Sequence, residues 1–217
     1  MMSKPARSIH KKGRKNVIGS FMSAKMQVLV EWESQIERDF MYYLEFDDDV
    51  RGYTSQPTRY RYTREDKYKY HFPDFEIFRY STPKRKFVEI KPLHVTKKTE
   101  FIEKTAAIKA QMHTDGFDYS VVTDSQLRVE PILSNLKLLY RYIIHQYDRE
   151  KVGLLVKELK AKGNTSIIFQ ELVSLAQNYS LALIDCYSCI SNKIFTFDTS
   201  SPLSFETVLT LSEARNQ

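Results

Sequence analysis

Residues 53–92 read as four short β-strands, two of which place charge where a sheet interior is expected. Arg59 to Thr63 and Lys67 to Tyr70 each alternate basic residues with aromatics, and Arg64-Glu65-Asp66 between them is a turn, so this stretch is a hairpin. Phe75 to Tyr80 and Phe87 to Lys91 form two further strands joined by the turn Ser81-Thr82-Pro83-Lys84. Side chains alternate faces along a strand, so Glu89 and Lys91 project from one side. Asp74 opens the partner strand, and the three polar heads can converge. The apolar neighbours Phe72, Phe75, Ile77, Val88 and Ile90 mark a central strand pair, where charge without a partner or a task is costly.

Upstream, Met26 to Glu31 reads as a strand, and Ser34 opens a helix that runs to about Phe46. Ile36, Phe40, Tyr43 and Leu44 lie on one face of that helix, and Glu37 borders the face, four residues before Met41 and seven before Leu44. Three carboxylates (Glu37, Asp74 and Glu89) with a lysine suit phosphodiester cleavage. Oxygen ligands hold hard cations such as Mg²⁺ or Mn²⁺, which retain waters and accept phosphate oxygens. Such a metal lowers the pKa of a bound water, while Lys91 would steady that water and offset developing charge. Competing structural roles stand beside these. A charged strand face is often simply solvated. Ser34-x-x-Glu37 is also a capping box, and Glu31, Glu33 and Glu45 are alternative third carboxylates.

Thr99 to His113 is a helix anchored by Phe101, Ile102, Ala106, Ile108 and Met112, and Tyr119 to Val122 is a buried strand. The order helix, antiparallel strands, helix, strand predicts an α+β or mixed α/β fold around one central sheet. After Pro131 the chain turns helical: Ile132 to Tyr147, Glu150 to Lys160 and Ser166 to Asn178, then two short strands at Leu181–Ile184 and Lys193–Phe197. Three helices and a small hairpin are the pattern of a winged-helix-like module. The expected organisation is a basic arm over 1–25, a catalytic domain over 26–130 and a smaller, mostly helical domain over 131–217.

Charge is unevenly spread. The net charge is +6, yet the first 30 residues hold seven basic residues and no acidic one, so the remainder nets to −1. Lys11, Lys12, Arg14 and Lys15 therefore form an arm suited to releasing counterions from a polyanion. A solubilising tail is the plainer alternative. Arg59 and Arg61 on the hairpin, and Lys97 and Lys98 ahead of the next helix, are further candidates for DNA contact; an amphipathic sheet and a solvated helix face explain them equally well. No stretch approaches the ~20 apolar residues that span a bilayer and no secretory signal is evident, so a cytoplasmic protein is expected. Cys186 and Cys189 lack the second ligand pair of a structural zinc site and read as buried small residues.

Taken as an ordered set, these pieces resemble the TnsA-type transposon-end endonucleases over the first 130 or so residues. Glu33-Ser34-Gln35-Ile36-Glu37-Arg38-Asp39-Phe40 is similar to the helix that bears that family's catalytic glutamate, and Leu44-Glu45-Phe46-Asp47 to the segment after it. Gln56-Pro57, His71-Phe72-Pro73-Asp74-Phe75 and Val88-Glu89-Ile90-Lys91-Pro92 complete the match. The resemblance implies a restriction-endonuclease-like fold and a Mg²⁺-dependent nuclease, with Mn²⁺ expected to substitute. Glu37, Asp74 and Glu89 would be metal ligands and Lys91 the catalytic lysine; the family varies at the position of Glu89, where an amide can stand. It further implies cutting of the non-transferred strand at transposon 5′ ends, together with a TnsB-type transposase and a TnsC-type AAA+ regulator. Over the C-terminal part the resemblance is one of pattern only. Two other readings are a stand-alone restriction or repair nuclease, which cuts naked DNA unaided, and a non-catalytic DNA-binding assembly factor, which is indifferent to loss of Lys91.

Overall fold

A computed structural model describes residues 17–212, and the chain divides between Val129 and Glu130 into two compact units. The basic residues Lys11, Lys12, Arg14 and Lys15 lie outside the described residues.

The first unit begins with an antiparallel pair, β1 (Gly19–Ser23) and β2 (Val28–Trp32). Strand β1 thus lies ahead of the boundary at residue 26 drawn from sequence. The reason is alternation: Phe21 and Ser23 point inward, opposite Val30 and Val28 in register. Helix α1 (Gln35–Phe46) follows, with its first turn capped by the Ser34 side chain, which accepts from the Glu37 N–H. It buries Glu37, Phe40, Met41 and Leu44, a set at 3.6-residue spacing.

Next come β3 (Val50–Ser55), the hairpin β4 (Tyr60–Arg64) and β5 (Lys67–His71), then β6 (Phe75–Arg79) and β7 (Lys86–Lys91). A short helix α2 (Leu93–Thr96) leads into α3 (Thr99–Thr114), and β8 (Asp118–Thr123) and α4 (Asp124–Leu127) close the unit. The main sheet has the order β3-β6-β7-β8. The β3/β6 and β6/β7 pairs are antiparallel and β7/β8 is parallel, with α3 in the crossover that a parallel pair requires. The sheet is therefore mixed, as the sequence predicts. The β4–β5 hairpin forms a separate two-stranded sheet.

The two sheet faces have different covers. On one, Phe75 packs edge-on against Phe40 of α1, with ring centroids 5.3 Å apart. On the other, Phe87 joins a buried cluster of Tyr62, Ile108, Met112 and Tyr119 drawn from β4, α3 and β8. Ile108 and Met112 anchor α3 as expected, whereas Ile102 is half exposed, since it points away from that cluster. Two contacts tie α4 to α1: the Tyr43 hydroxyl donates to the Leu127 carbonyl (2.6 Å), and Arg128 Nε to Asp39 (3.0 Å).

The second unit comprises α5 (Ile132–Tyr140), α6 (Arg149–Ala161), β9 (Ser166–Ile168), α7 (Phe169–Gln177), α8 (Leu183–Ser191), β10 (Phe195–Thr196) and β11 (Val208–Leu211). Its sheet is antiparallel in the order β10-β11-β9. Three boundaries differ from the sequence reading. The first helix stops at Tyr140, short of Tyr147. Residues 166–168 form a strand, because β11 is there to pair with them. Leu181–Ile184 is not a strand; Leu183 opens α8, whose start is held by the Asp185 carboxylate accepting from the Ala182 N–H (2.7 Å). Cys186, Cys189 and Ile190 fall on the buried face of α8, and both thiols are free. Burial raises both, Cys186 to about 11 and Cys189 to about 12, so they are inert packing groups.

Candidate active site

The β6/β7 register explains why Asp74, Glu89 and Lys91 meet. Phe75 is opposite Val88, so Asp74, one step further back, falls opposite Glu89. Cross-strand partners share a face, and Lys91 shares it with Glu89 by the two-residue repeat. The Lys91 ammonium is enclosed by three oxygens: Glu89 Oε1 at 2.8 Å, Asp74 Oδ2 at 3.0 Å and the Ile90 carbonyl at 3.1 Å. Asp74 Oδ2 also accepts from the Ile90 N–H at 2.7 Å, which locks the aspartate onto β7.

The electrostatics are those of a compressed, desolvated cluster. Burial raises the Asp74 carboxyl, and the neighbouring Glu89 charge raises it further, against the pull of Lys91, to about 7. Burial also acts to raise Glu89, but His71 and Lys91 outweigh it and hold that carboxyl below its usual value. Burial works against the Lys91 charge, but Asp74 and Glu89 together raise its pKa. The two carboxylates are thus pushed apart in acidity, the expected response of like charges sharing a dry site.

Glu37 has a different place. Its Oε1 accepts from the Ser34 hydroxyl (2.8 Å) and its Oε2 from the Glu33 N–H (2.9 Å), so the carboxylate completes the α1 cap. It is buried, which raises its pKa most, and it lies close enough for Lys91 to oppose that rise and for its own charge to act on Asp74. The structure therefore brings Asp74, Glu89 and Lys91 into contact, with Glu37 within electrostatic reach and engaged elsewhere. Among the alternatives, Glu45 accepts from Ser23, Tyr53 and the Lys25 N–H and is a structural carboxylate, while Glu31 is exposed.

Among the described residues, no group of three or more His, Cys, Asp and Glu side chains is arranged to hold a metal ion. A hard cation of the Mg²⁺ type needs less than that, since it keeps several waters and takes one or two carboxylates. Asp74, Glu89 and the Ile90 carbonyl already surround one positive charge, that of Lys91, and burial together with the Glu89 charge still raises the Asp74 carboxyl. The donor set fits such a cation.

One residue given no role from sequence belongs to this site. His71, the last residue of β5, is 5% exposed, and its Nε2 lies 3.0 Å from Glu89 Oε2. The available signal was phase: His71 alternates with Tyr68 and Tyr70, which are 70% and 52% exposed, so it falls on the inward side of the hairpin.

On the outward side Arg59 stacks over the Tyr70 ring at 4.1 Å and Arg61 over Tyr68 at 4.7 Å. Neither guanidinium is paired with a carboxylate among the described residues. Each stack is worth about 0.5–1 kcal/mol at an exposed site, enough to orient an arginine without hiding its N–H edge. Lys97 and Lys98 are exposed between α2 and α3, six and seven residues after Lys91.

No helix among the described residues is long and apolar enough to cross a membrane. No curated protein matches the chain. A family model described as "TnsA-like endonuclease N terminal" matches residues 47–124. The match begins after Glu37 and takes in the hairpin, His71, Asp74, Glu89 and Lys91, the same stretch whose fold builds the cluster. Sequence match and side-chain cluster fall on the same stretch: over residues 47–124 this chain is similar to the TnsA-like endonuclease N-terminal domain.

Proposed function

We propose that the protein is the TnsA-type subunit of a transposition machinery, a restriction-endonuclease-like enzyme that cuts the non-transferred strand at transposon 5′ ends. The observation that carries this reading is the Asp74–Lys91–Glu89 cluster on adjacent strands of a domain in that family. Asp74 and Glu89 would hold Mg²⁺, or Mn²⁺ in its place. When bound, the cation supplies a water of lowered pKa and charge neutralisation at the scissile phosphate. Lys91, anchored between the two carboxylates, orients the attacking water and offsets the charge that builds on the phosphate oxygens. Glu37 adds negative charge at the rim; direct ligation would require it to leave its two cap hydrogen bonds.

DNA would lie across the outward face of the β4–β5 hairpin, where Arg59 and Arg61 present guanidiniums that pair with no carboxylate among the described residues, with Lys97 and Lys98 as further phosphate contacts. Changing both arginines to alanine is expected to flatten the slope of log affinity against log salt by about 2, since each phosphate contact contributes close to one. The check is fluorescence anisotropy on duplex DNA in Ca²⁺, and an unchanged slope removes the hairpin from the interface.

From α6 onward the second unit follows the helix–strand–helix–helix–strand–strand order of a winged helix, with β11 central in its sheet and α5 preceding it. Its α8 occupies the place of a recognition helix, yet it contains no Lys or Arg. A helix without positive charge is poorly suited to a DNA groove, which favours protein contacts for this unit, with a TnsB-type transposase or a TnsC-type regulator.

The test of the whole reading is strand mapping. The protein is incubated with its cognate transposase, AAA+ regulator and end-bearing DNA, with Mg²⁺ or with EDTA. Cuts at the 5′ ends are expected only when the protein, its partners and Mg²⁺ are all present. Unaided cutting of naked DNA would point to a stand-alone nuclease. 5′ cuts that persist without the protein would leave it an assembly factor.

A further inference from the structure

Three buried polar atoms without a regular hydrogen bond gather on the Glu89 side of the cluster: His71 Nε2, Glu89 Oε2 and the Tyr119 hydroxyl. Folded proteins leave few such atoms, so a group of them calls for a reason. The first two face each other at 3.0 Å, an ion-pair distance, in surroundings where His71 is 5% and Glu89 3% exposed. The Tyr119 ring stands nearly perpendicular to the imidazole, at 81° and 6.0 Å between centroids, and so restricts how His71 can turn. The other oxygen of Glu89 is taken by Lys91 at 2.8 Å. Glu89 is therefore held at both ends of its carboxylate, by Lys91 from its own strand and by His71 from a hairpin outside the main sheet.

We infer that His71 is a positioning residue, whose Nε2–H fixes Oε2 of Glu89 so that the carboxylate presents Oε1 to the cation site. The inference rests on the reading of Glu89 as a metal ligand. A glutamate has three side-chain torsions, and a second anchor removes the freedom that one contact leaves. Outer partners of this kind set ligand orientation, and their loss typically weakens metal binding 10- to 100-fold. The same strand that presents Tyr70 outward beneath Arg59 thus carries, one residue later, the group that orients Glu89.

The test compares two substitutions in the full chain by isothermal titration with Mn²⁺ alone. His71→Phe keeps a ring against Tyr119 and lacks the donor; His71→Gln places an amide N–H close to the Nε2 position. Expected is an Mn²⁺ affinity lowered about 10- to 100-fold in the Phe variant and largely recovered in the Gln variant. A merely structural role would alter melting temperature and not produce that pattern. Wild-type affinity in a folded Phe variant overturns the inference. Long-range ¹H–¹⁵N correlation spectra of the unmodified protein supply an arm that needs neither variant folding nor metal: Nε2 of His71 is expected to carry the ring N–H that faces Glu89, and an Nε2 without a hydrogen overturns the proposed contact. Should the wild-type protein bind no Mn²⁺, the metal reading fails, while the spectra still judge the His71–Glu89 contact by itself.

Discussion

Replacing Lys91 with alanine, or Asp74 with asparagine, is expected to lower 5′-end cleavage by on the order of 10²–10³-fold or more while the fold persists. On the proposed function, each removes a preorganised charge from the point where charge would develop in phosphodiester hydrolysis. The two act as one unit, because the Lys91 ammonium lies between Asp74 and Glu89. The double variant should therefore be little worse than the weaker single variant. Asparagine is the cleaner change at position 74. Asp74 Oδ2 accepts from the buried Ile90 N–H at 2.7 Å, and alanine would leave that donor unsatisfied, at a cost of about 1–3 kcal/mol unrelated to catalysis. Lys91→Ala has a second signature. It leaves Asp74 and Glu89 facing each other without the ammonium, so its melting temperature should fall in EDTA and recover on adding Mg²⁺, which binds the folded state. Single-turnover cleavage and calorimetry check both. Cleavage within a factor of ten of wild type in both variants would remove the cluster from the chemistry.

Phe75→Ala, one residue from Asp74, should do the opposite: it should cost about 3–5 kcal/mol of stability and lose activity only because the domain unfolds. Phe75 is fully buried, packed edge-on to Phe40 at 5.3 Å and to Tyr53 at 6.2 Å. It joins β6 to α1 and β3, so its truncation leaves a cavity between sheet and helix that neighbours on three elements must collapse to fill. Against a typical total of about 5–15 kcal/mol, the loss is a large share of what holds the domain together. Urea denaturation measures it, with an unchanged slope confirming that the same surface unfolds. A loss below about 1 kcal/mol would show that the α1–sheet contact is not the core described above.

Neighbouring residues with such different expected effects show what strand geometry makes legible. The two-residue repeat was enough to place Glu89 and Lys91 on one face, because alternation is a local property of the backbone, and the hairpin reading set Asp74 on the partner strand. The same holds for the β6–β7 hairpin, for α1 with its cap, and for α3 as a helix between two strands. Even so, the choice between a helix cap and a metal ligand at Glu37 could not be made from sequence. A capping box and a metal ligand require the same residue type at the same spacing, and only the Ser34 and Glu33 contacts show the carboxylate in the cap.

Where pairing partners are distant in sequence, the sequence was silent or misleading. Residues 166–168 look helical in isolation and form a strand because β11, some forty residues later, offers an edge to pair with. Leu181–Ile184 looks like a strand and instead runs into α8, because the buried positions from Cys186 onward follow helical spacing. His71 is the most consequential case. Its local context records only that it faces inward; that it meets Glu89 at 3.0 Å depends on how a separate hairpin docks against β7. The sequence by itself determined the mixed α/β character and the charged cluster at the end of β7, since both follow from periodicities of two and 3.6 residues. Only the tertiary structure decided what surrounds that cluster, a capped glutamate on one side and a buried histidine on the other, because those contacts depend on non-local packing.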